Sequence, residues 1–256
     1  MLLAIDVGNT ETKLGCFQND SHRLMHTWRV TTEQRRTGDE YGVFLAALFA
    51  ADGVQRDEIT AIVVASVVPK LEQALSDACL RFFGRRPLFF SAHRQSLMPV
   101  TTERPGEVGA DLVAAAIGAR AAYGAPLIVI SYGTATVFMA ISAHGEYLGT
   151  AIAPGIATSI DALIGRTAKL PQIALQDPGK AIGRDTIASL QSGIIYGFVG
   201  QTQALIGRIR AELGYQAKVV ATGGLADVVA RHAGCIDTVD PHVSLQGLRL
   251  YHLSGA

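Results

Sequence analysis

The sequence predicts an α/β protein made of two similar halves. Two stretches share one plan, an apolar strand, a glycine turn and a second apolar strand: "LLAIDVGNTETKLGCF" near the start of the chain and "LIVISYGTATVFMAIS" near its middle. The turn glycines, Gly8 and Gly133, lie 125 residues apart, which is long enough for each copy to be a domain. We therefore expect one domain at 1–117 and another at 118–256, with a cleft between them.

The first half alternates strands with helices. Apolar runs rich in β-branched residues predict strands at 2–6, 12–17, 23–31, 59–66 and 87–90. Apolar residues at helical spacing predict helices at 39–51, 68–83 and 105–124. The second of these helices opens with a proline, which the first helical turn accepts because its N–H needs no partner there.

The second half repeats this order. Strands are predicted on both sides of "GTAT", at 147–151, at "KVVAT" and in a short closing segment. Helices are predicted at 154–167, at 185–213, after Gly224 and at the end of the chain.

Composition and motif content exclude several classes of protein. Lysines and arginines number 22, as do aspartates and glutamates, so no net charge attracts nucleic acid or an anionic membrane. The three cysteines form no CxxC pair, and the first apolar run is too short for export or a membrane span, so we expect a soluble cytoplasmic protein. The sequence has no GxxxxGK[ST], no GxGxxG after a strand, no GxSxG and no zinc spacing of histidines.

The turn "AIDVGNT" has the residues of a phosphate-binding loop. Asp6 ends an apolar strand, and Gly8 allows the chain to bend tightly. Asn9 and Thr10 bring side-chain and backbone donors to the bend, where phosphate oxygens fit, and the acid can hold Mg²⁺. An ordinary β-hairpin explains the same residues, since Gly-Asn is a common turn pair.

Two later glycine motifs favour a nucleotide site. Gly133 and Thr134 begin the turn "GTAT", and two phosphate loops on either side of a cleft could grip one polyphosphate. Gly223 and Gly224 follow the strand "KVVAT", where a glycine pair lets a flat nucleotide or ribose approach the backbone. The order of two phosphate turns and a late glycine pair indicates a protein that binds a nucleoside polyphosphate.

These motifs in this order resemble the actin-like kinase superfamily, and most closely the type III pantothenate kinases. The matching stretches run nearly end to end: "DVGNTETKLG", "TGDEY", "ASVVP", "PGEVGADLVAAA", "GTAT", "YLGTAIAPGIATSIDALIGRTAKLP", "IGRDTIASLQSGIIYG", "ATGGLA" and "DPHVSLQGLRLY". The resemblance implies two actin-like, ribonuclease H-like domains and a homodimer formed through the long helix at 185–213. It also implies an enzyme that phosphorylates pantothenate with ATP in the first step of coenzyme A synthesis.

The resemblance assigns roles to residues of both halves. It gives Mg²⁺ to Asp6, and it gives contacts with ATP and its phosphates to Gly8, Asn9, Thr10, Lys13, Gly133, Thr134, Thr136, Gly223 and Gly224. Substrate contacts fall to Gly109, Asp111 and Thr186, the last of these acting from the partner subunit.

Asp111 is the general base that the resemblance implies. A primary alcohol attacks the γ-phosphoryl group, and a carboxylate that accepts its proton also orients it in line. Without the family, an acid favoured in the first turn of a helix explains Asp111, and N-capping by Thr186 or Asp185 explains "GRDT".

Several positions depart from the family. Ser131 replaces an aspartate that helps to bind a monovalent cation, K⁺ or NH₄⁺, and a hydroxyl is a poorer ligand, which calls that site into question. Leu112 replaces an arginine expected to pair with the substrate carboxylate, and Arg104 and Arg184 are candidate substitutes. The remaining departures on the active face are Val137, Met139 and Asp185.

Three functions are consistent with these departures. The first is a pantothenate kinase that uses ATP and Mg²⁺, with reduced activity or altered cation dependence. The second is a catalytically impaired paralogue that binds a nucleotide or small acid as a regulatory or accessory protein. The third is a kinase of the same fold that acts on another small alcohol lacking a carboxylate.

Overall fold

The computed structural model describes residues 1–19 and 23–255, which form two compact units. The first unit contains residues 1–121 and the chain from Val243 onward, and the second contains Ala122–His242. Each unit contains one five-stranded mixed sheet, so the α/β class and the duplication are confirmed. The first unit thus includes the last helix, which begins at Val243.

The first sheet has the strand order β3-β2-β1-β4-β5. Its first three strands are antiparallel, and β4 and β5 run parallel to β1. The elements of this part of the chain are β1 (Leu2–Val7), β2 (Glu11–Phe17), β3 (Leu24–Thr31), α1 (Gly38–Ala51), β4 (Ala61–Ser66), α2 (Pro69–Phe83), β5 (Leu88–Phe89) and α3 (Ala110–Tyr123).

The second sheet repeats this plan strand for strand. Its order is β8-β7-β6-β9-β10, with three antiparallel strands followed by two that run parallel to β6. The elements are β6 (Leu127–Tyr132), β7 (Ala135–Ile141), β8 (Tyr147–Pro154), α4 (Ile156–Gly165), α5 (Thr186–Leu213), β9 (Lys218–Thr222), α6 (Ala226–Ala233) and β10 (Thr238–Val239), and the chain ends with α7 (Val243–Leu253).

Strand alternation decides which side chains enter each core. Leu3, Ile5 and Val7 of β1 point into a core that also contains side chains of α1 and α2. Ile130 and Tyr132 of β6 do the same in the second unit, against α5 and α6. The residues between them, including Asp6, therefore lie on the opposite face of their sheet.

Local signals set the helix ends. Thr37 and Glu40 form a capping box at the start of α1, and Gly84 ends α2 in the left-handed conformation with φ +65°. Helix α3 begins at Ala110 rather than at 105, because Pro105–Glu107 forms a separate 3₁₀ turn. Strand β8 extends to Pro154, three residues beyond its predicted end.

Helix α7 packs on β1, β2 and β4 and crosses α3 at very short range. A methyl group added to Gly247 would lie 1.8 Å from the backbone oxygen of Ala114, and one added to Gly118 would lie 1.9 Å from that of Val243. Only glycine permits this approach, because the atoms opposite it belong to the backbone and cannot rotate away.

None of the helices within residues 1–19 and 23–255 is long and apolar enough to cross a bilayer.

We predict that Gly247→Ala lowers the free energy of unfolding by about 3 kcal/mol, because the new methyl must displace the α3 backbone. Chemical denaturation followed by circular dichroism measures this. Gly106→Ala is the control, since no described atom lies within 4 Å of its added methyl. Equal stability of the two variants would contradict the close helix crossing.

Candidate active site

Asp6 is the buried acid of the first unit. It lies on β1 directly opposite Lys13 of β2, and 6% of its surface is exposed. The hydroxyl of Ser244, in the first turn of α7, donates a hydrogen bond of 2.6 Å to Asp6 Oδ2. This bond satisfies one carboxylate oxygen of the acid and joins two residues that are 238 positions apart.

The turn that follows Asp6 is a hairpin with a polar tip. The Gly8 N–H donates to the carbonyl of Glu11 at 3.0 Å, and Thr32 Oγ1 donates to the Gly8 carbonyl at 2.8 Å. A methyl on Gly8 would lie 2.9 Å from the Glu11 carbonyl oxygen, so glycine fits this bend best. Asn9 and Thr10 are exposed at the tip, where donors can reach a ligand.

Asp111 lies in the first turn of α3, as a helix-start acid would. The pKa of its carboxyl is raised from 3.8 to about 6, chiefly by burial and secondly by the negative charge of Asp6. The amides of Leu112 and of Asp111 itself, together with the Lys13 ammonium, act in the opposite direction. The two acids and the lysine are therefore close enough to interact.

Gly109 makes room for that carboxyl. A methyl added to Gly109 would lie 2.6 Å from Asp111 Oδ1. The predicted substrate residue therefore has a steric role within the protein, since any larger side chain would push the acid out of position.

The turn of the second unit is held by backbone contacts. The Gly133 N–H donates to the Ala135 carbonyl at 3.0 Å, and the Thr134 carbonyl accepts from the Gly155 N–H at 3.1 Å and from Thr158 Oγ1 at 2.7 Å. A methyl on Gly155 would lie 2.2 Å from the Gly133 carbonyl oxygen. Sequence reasoning missed Gly155 and Thr158, because both fell inside the helix predicted at 154–167, whereas the helix begins at Ile156 with Gly155 as its N-cap.

The late glycine pair lies beside the same strand end. Gly223 has φ +99°, and a methyl there would lie 2.4 Å from the carbonyl oxygen of Tyr132. The bend after β9 therefore packs against the last residue of β6, just before Gly133. The second unit therefore brings Gly133 close to Gly223 and to the adjacent Gly224.

Thr136 is placed differently from the other residues of its turn. It pairs with Tyr132, whose side chain points into the core, and it is fully buried. Its hydroxyl has no hydrogen-bond partner within the part of the chain that the structure describes. Thr134, by contrast, is exposed.

Ser131 lies in a row of side chains across the second sheet. Its neighbours in register are Thr222 of β9 and Val137 of β7, and Val137 is followed by Ile152 of β8. The Thr222 hydroxyl is buried, and within residues 1–19 and 23–255 it has no partner. Hydroxyl and aliphatic groups thus occupy the row, and Met139 beyond it is fully buried.

The remaining predicted residues are less closely grouped. Asp185, rather than Thr186, caps α5 by accepting from the Ala188 N–H at 2.8 Å, which leaves Thr186 exposed at the first helical position. Arg104 forms an exposed ion pair with Glu107 at 3.1 Å. An exposed ion pair of this kind contributes little to stability, so Arg104 stays a candidate substitute for the arginine replaced at 112.

The donor set around Asp6 suits Mg²⁺. This ion binds proteins through one or two carboxylates and completes its octahedron with water and substrate phosphates. Asp6 keeps one carboxylate oxygen that Ser244 does not use, and no group of three acidic, histidine or cysteine side chains suited to a metal occurs among the described residues. A magnesium nucleotide fits such a site better than a permanently bound ion.

Comparison with known proteins shows the family of the chain. Residues 2–208 match the family model for type III pantothenate kinase. The chain is similar to the type III pantothenate kinase of Moorella thermoacetica, with 47% identity over 252 residues and 98% of each chain covered. It is also similar to that of Myxococcus xanthus, with 45% identity and the same coverage.

Among solved structures, the fold is similar to an activator of 2-hydroxyisocaproyl-CoA dehydratase from Clostridium difficile with bound ADPNP. The TM-score is 0.61 at 15% identity, covering 99% of this chain and 94% of the other. At that identity the likeness supports the fold alone.

We predict that Asp6→Asn lowers the pKa of Asp111 from about 6 towards 3.8, because the charged form loses a negative neighbour. Burial remains, so the pKa should stay above the ordinary value. Nuclear magnetic resonance of ¹³C-labelled aspartate carboxyls during a pH titration measures it. The control, Asp57→Asn, alters an exposed acid and should change nothing; a pKa of Asp111 that is unmoved in Asp6→Asn would contradict the coupling.

Proposed function

The chain belongs to the type III pantothenate kinase family, and we propose that it transfers the γ-phosphoryl group of ATP to the primary hydroxyl of pantothenate. The product is 4′-phosphopantothenate, the first intermediate of coenzyme A synthesis. The observation that carries the proposal is the placement of Asp111, with its raised pKa, beside Asp6 and Lys13. We assign the reaction to the cytoplasm, which suits three free cysteines.

Asp111 acts as the general base in this proposal. The hydroxyl oxygen of the acceptor forms a bond to the γ-phosphorus, the bond from that phosphorus to the bridging oxygen breaks, and ADP leaves. The hydroxyl proton passes to the Asp111 carboxylate. A pKa of about 6 supports this role, because the group is mostly ionised at neutral pH yet more basic than an ordinary aspartate.

The first unit supplies further contacts for the nucleotide. Asp6 would hold Mg²⁺, which neutralises charge on the phosphate oxygens when it is bound. The backbone and side chains of Gly8, Asn9 and Thr10 would donate to phosphate, and Lys13 would add a positive charge. The exposure of the hairpin tip and the register of Lys13 opposite Asp6 support these roles.

The second unit supplies its own contacts. Gly133 and Thr134 would contact phosphates through their exposed turn, and Gly223 and Gly224 would lie against the nucleoside. Thr136, whose hydroxyl is buried and has no partner among the described residues, would complete the predicted set of phosphate contacts.

The acceptor contacts belong to the same proposal. Asp111 would orient the reacting hydroxyl, with Gly109 keeping its carboxyl in place and Thr186 of the partner subunit touching pantothenate. Leu112 offers the substrate carboxylate no counter-charge, so we expect weaker pantothenate binding than an arginine would give. No comparison favours the impaired paralogue, since the relatives reported above are named as kinases.

We predict that Asp111→Asn lowers kcat for pantothenate by about 10²–10⁴-fold, since the amide cannot accept the proton. ADP release in a coupled assay measures turnover, and calorimetry with MgADP checks that the nucleotide still binds. The control is Asp57→Asn, which should keep full activity. An Asp111→Asn enzyme that retains most of its kcat would refute the base assignment.

We propose that turnover does not depend on K⁺ or NH₄⁺, because Ser131 and Thr222 offer hydroxyls where a cation needs an acid. Replacing KCl with tetramethylammonium chloride at equal ionic strength should leave kcat unchanged. Ser131→Asp should introduce stimulation by K⁺, whereas Ser254→Asp, an exposed control, should not. Strong stimulation of the natural chain by K⁺ would overturn this proposal.

We propose a homodimer formed through α5. Gly193, Gly197, Gly200 and Ala204 form an exposed stripe on this helix, and no described atom lies within 4 Å of a methyl added to any of the three glycines. An exposed helix glycine costs about 1 kcal/mol relative to alanine, so three along one face need a compensating role. Small side chains let a second helix approach closely, and that supports contact with a second copy.

Gly197→Leu should convert the dimer to a monomer, because the leucine keeps the helix and adds bulk to the stripe. Sedimentation equilibrium measures the mass, and Glu212→Leu, an exposed position in the last turn of α5 beyond the stripe, is the control. A natural chain that sediments as a monomer would count against the dimer.

A further inference from the structure

Ser244 contacts the acid on which the nucleotide site depends, although no sequence signal placed it there. Its hydroxyl is 2.6 Å from Asp6 Oδ2, and both side chains are buried, with 4% and 6% of their surfaces exposed. The hydroxyl takes the place of water at the buried carboxylate and occupies one of its two oxygens.

The position of Ser244 is fixed by close packing on both sides of it. Its neighbour Leu245 fits against Gly15 of β2, where an added methyl would lie 2.9 Å from Leu245 Cδ1. Three residues after Ser244, Gly247 meets the α3 backbone at Ala114. Helix α7 therefore cannot rotate or slide without a clash, and the hydroxyl is held beside β1.

Lys13 is the alternative partner of Asp6. Lys13 lies directly opposite Asp6 in the β1–β2 register, so an unrestrained carboxylate can turn towards its ammonium. The described residues show no ion pair between the two. With Oδ2 occupied by the Ser244 hydroxyl, the carboxylate keeps its orientation and one oxygen that Ser244 does not use.

We propose that Ser244 is a positioning residue for the magnesium nucleotide: it holds Asp6 in the orientation in which its free oxygen takes the ion and keeps it from pairing with Lys13. The inference rests on the proposed function for the role of Asp6. Groups that orient a metal-binding side chain affect metal affinity by about 10- to 100-fold when they are removed.

The test compares Ser244→Thr with Ser244→Val, which have the same shape and differ only in the hydroxyl. Binding of a fluorescent ADP analogue is measured while Mg²⁺ is varied, together with binding in the absence of Mg²⁺. We expect the Mg²⁺ concentration for half-maximal binding to rise about 10- to 100-fold in the valine variant. The threonine variant should behave like the natural chain.

Two controls separate positioning from stability. Ser254→Ala removes a hydroxyl that donates to the Tyr251 carbonyl in the last turn of the same helix, and it should leave the Mg²⁺ dependence unchanged. Thermal denaturation of every variant shows whether α7 remains packed. Equal Mg²⁺ dependence of the threonine and valine variants would overturn the inference, whether or not their stabilities differ.

The measurement of Mg²⁺-dependent nucleotide binding does not require pantothenate, so it can fail or succeed separately from the proposed reaction. A chain whose Mg²⁺-dependent ADP binding needs the Ser244 hydroxyl, but which does not phosphorylate pantothenate, would refute the proposed function and leave this inference standing. A chain that phosphorylates pantothenate with unchanged Mg²⁺ dependence in Ser244→Val would do the reverse.

Discussion

A charged carboxylate can be buried only if other groups take the place of water, and Asp6 is the residue on which this constraint falls. Its position follows from the alternation of β1, which sends Leu3, Ile5 and Val7 into the core and leaves the acid on the other face. The Ser244 hydroxyl meets it there. The site of the first unit is built outward from this contact.

The same acid shapes its neighbour. Burial alone would raise the pKa of Asp111, and the charge of Asp6 acts in the same direction. Two carboxyls in one site thus acquire different environments, one with a hydroxyl donor and one under the repulsion of the other. This difference underlies the proposed roles, in which one acid holds a cation and the other takes up a proton.

The strands and most helices could be predicted because their signals are local. The apolar runs of β1 and β6 and the alanine-rich α3 needed no partner to be recognised, and their bounds moved by only a few residues.

Thr136 shows the limit of this reasoning. The loop that begins at Gly8 contains three residues, and the loop that begins at Gly133 contains two. An alignment of the two glycines therefore misaligns the second strands of the two hairpins by one residue. The face of the sheet to which Thr136 points depends on the strand register, and the similarity of the two sequences does not reveal that register. Ser244 was missed for another reason, since a contact between residues 238 positions apart depends on the packing of the whole unit.

The return of α7 to the first unit also affects how the protein is made. Asp6 is synthesised 238 residues before its hydroxyl donor, so the ribosome must translate α7 before the buried acid can receive this hydrogen bond. A product that ended before α7 would contain both glycine turns and Asp111, yet it would lack the Ser244 hydroxyl. The order of the chain therefore ties the finished contact to the translation of α7.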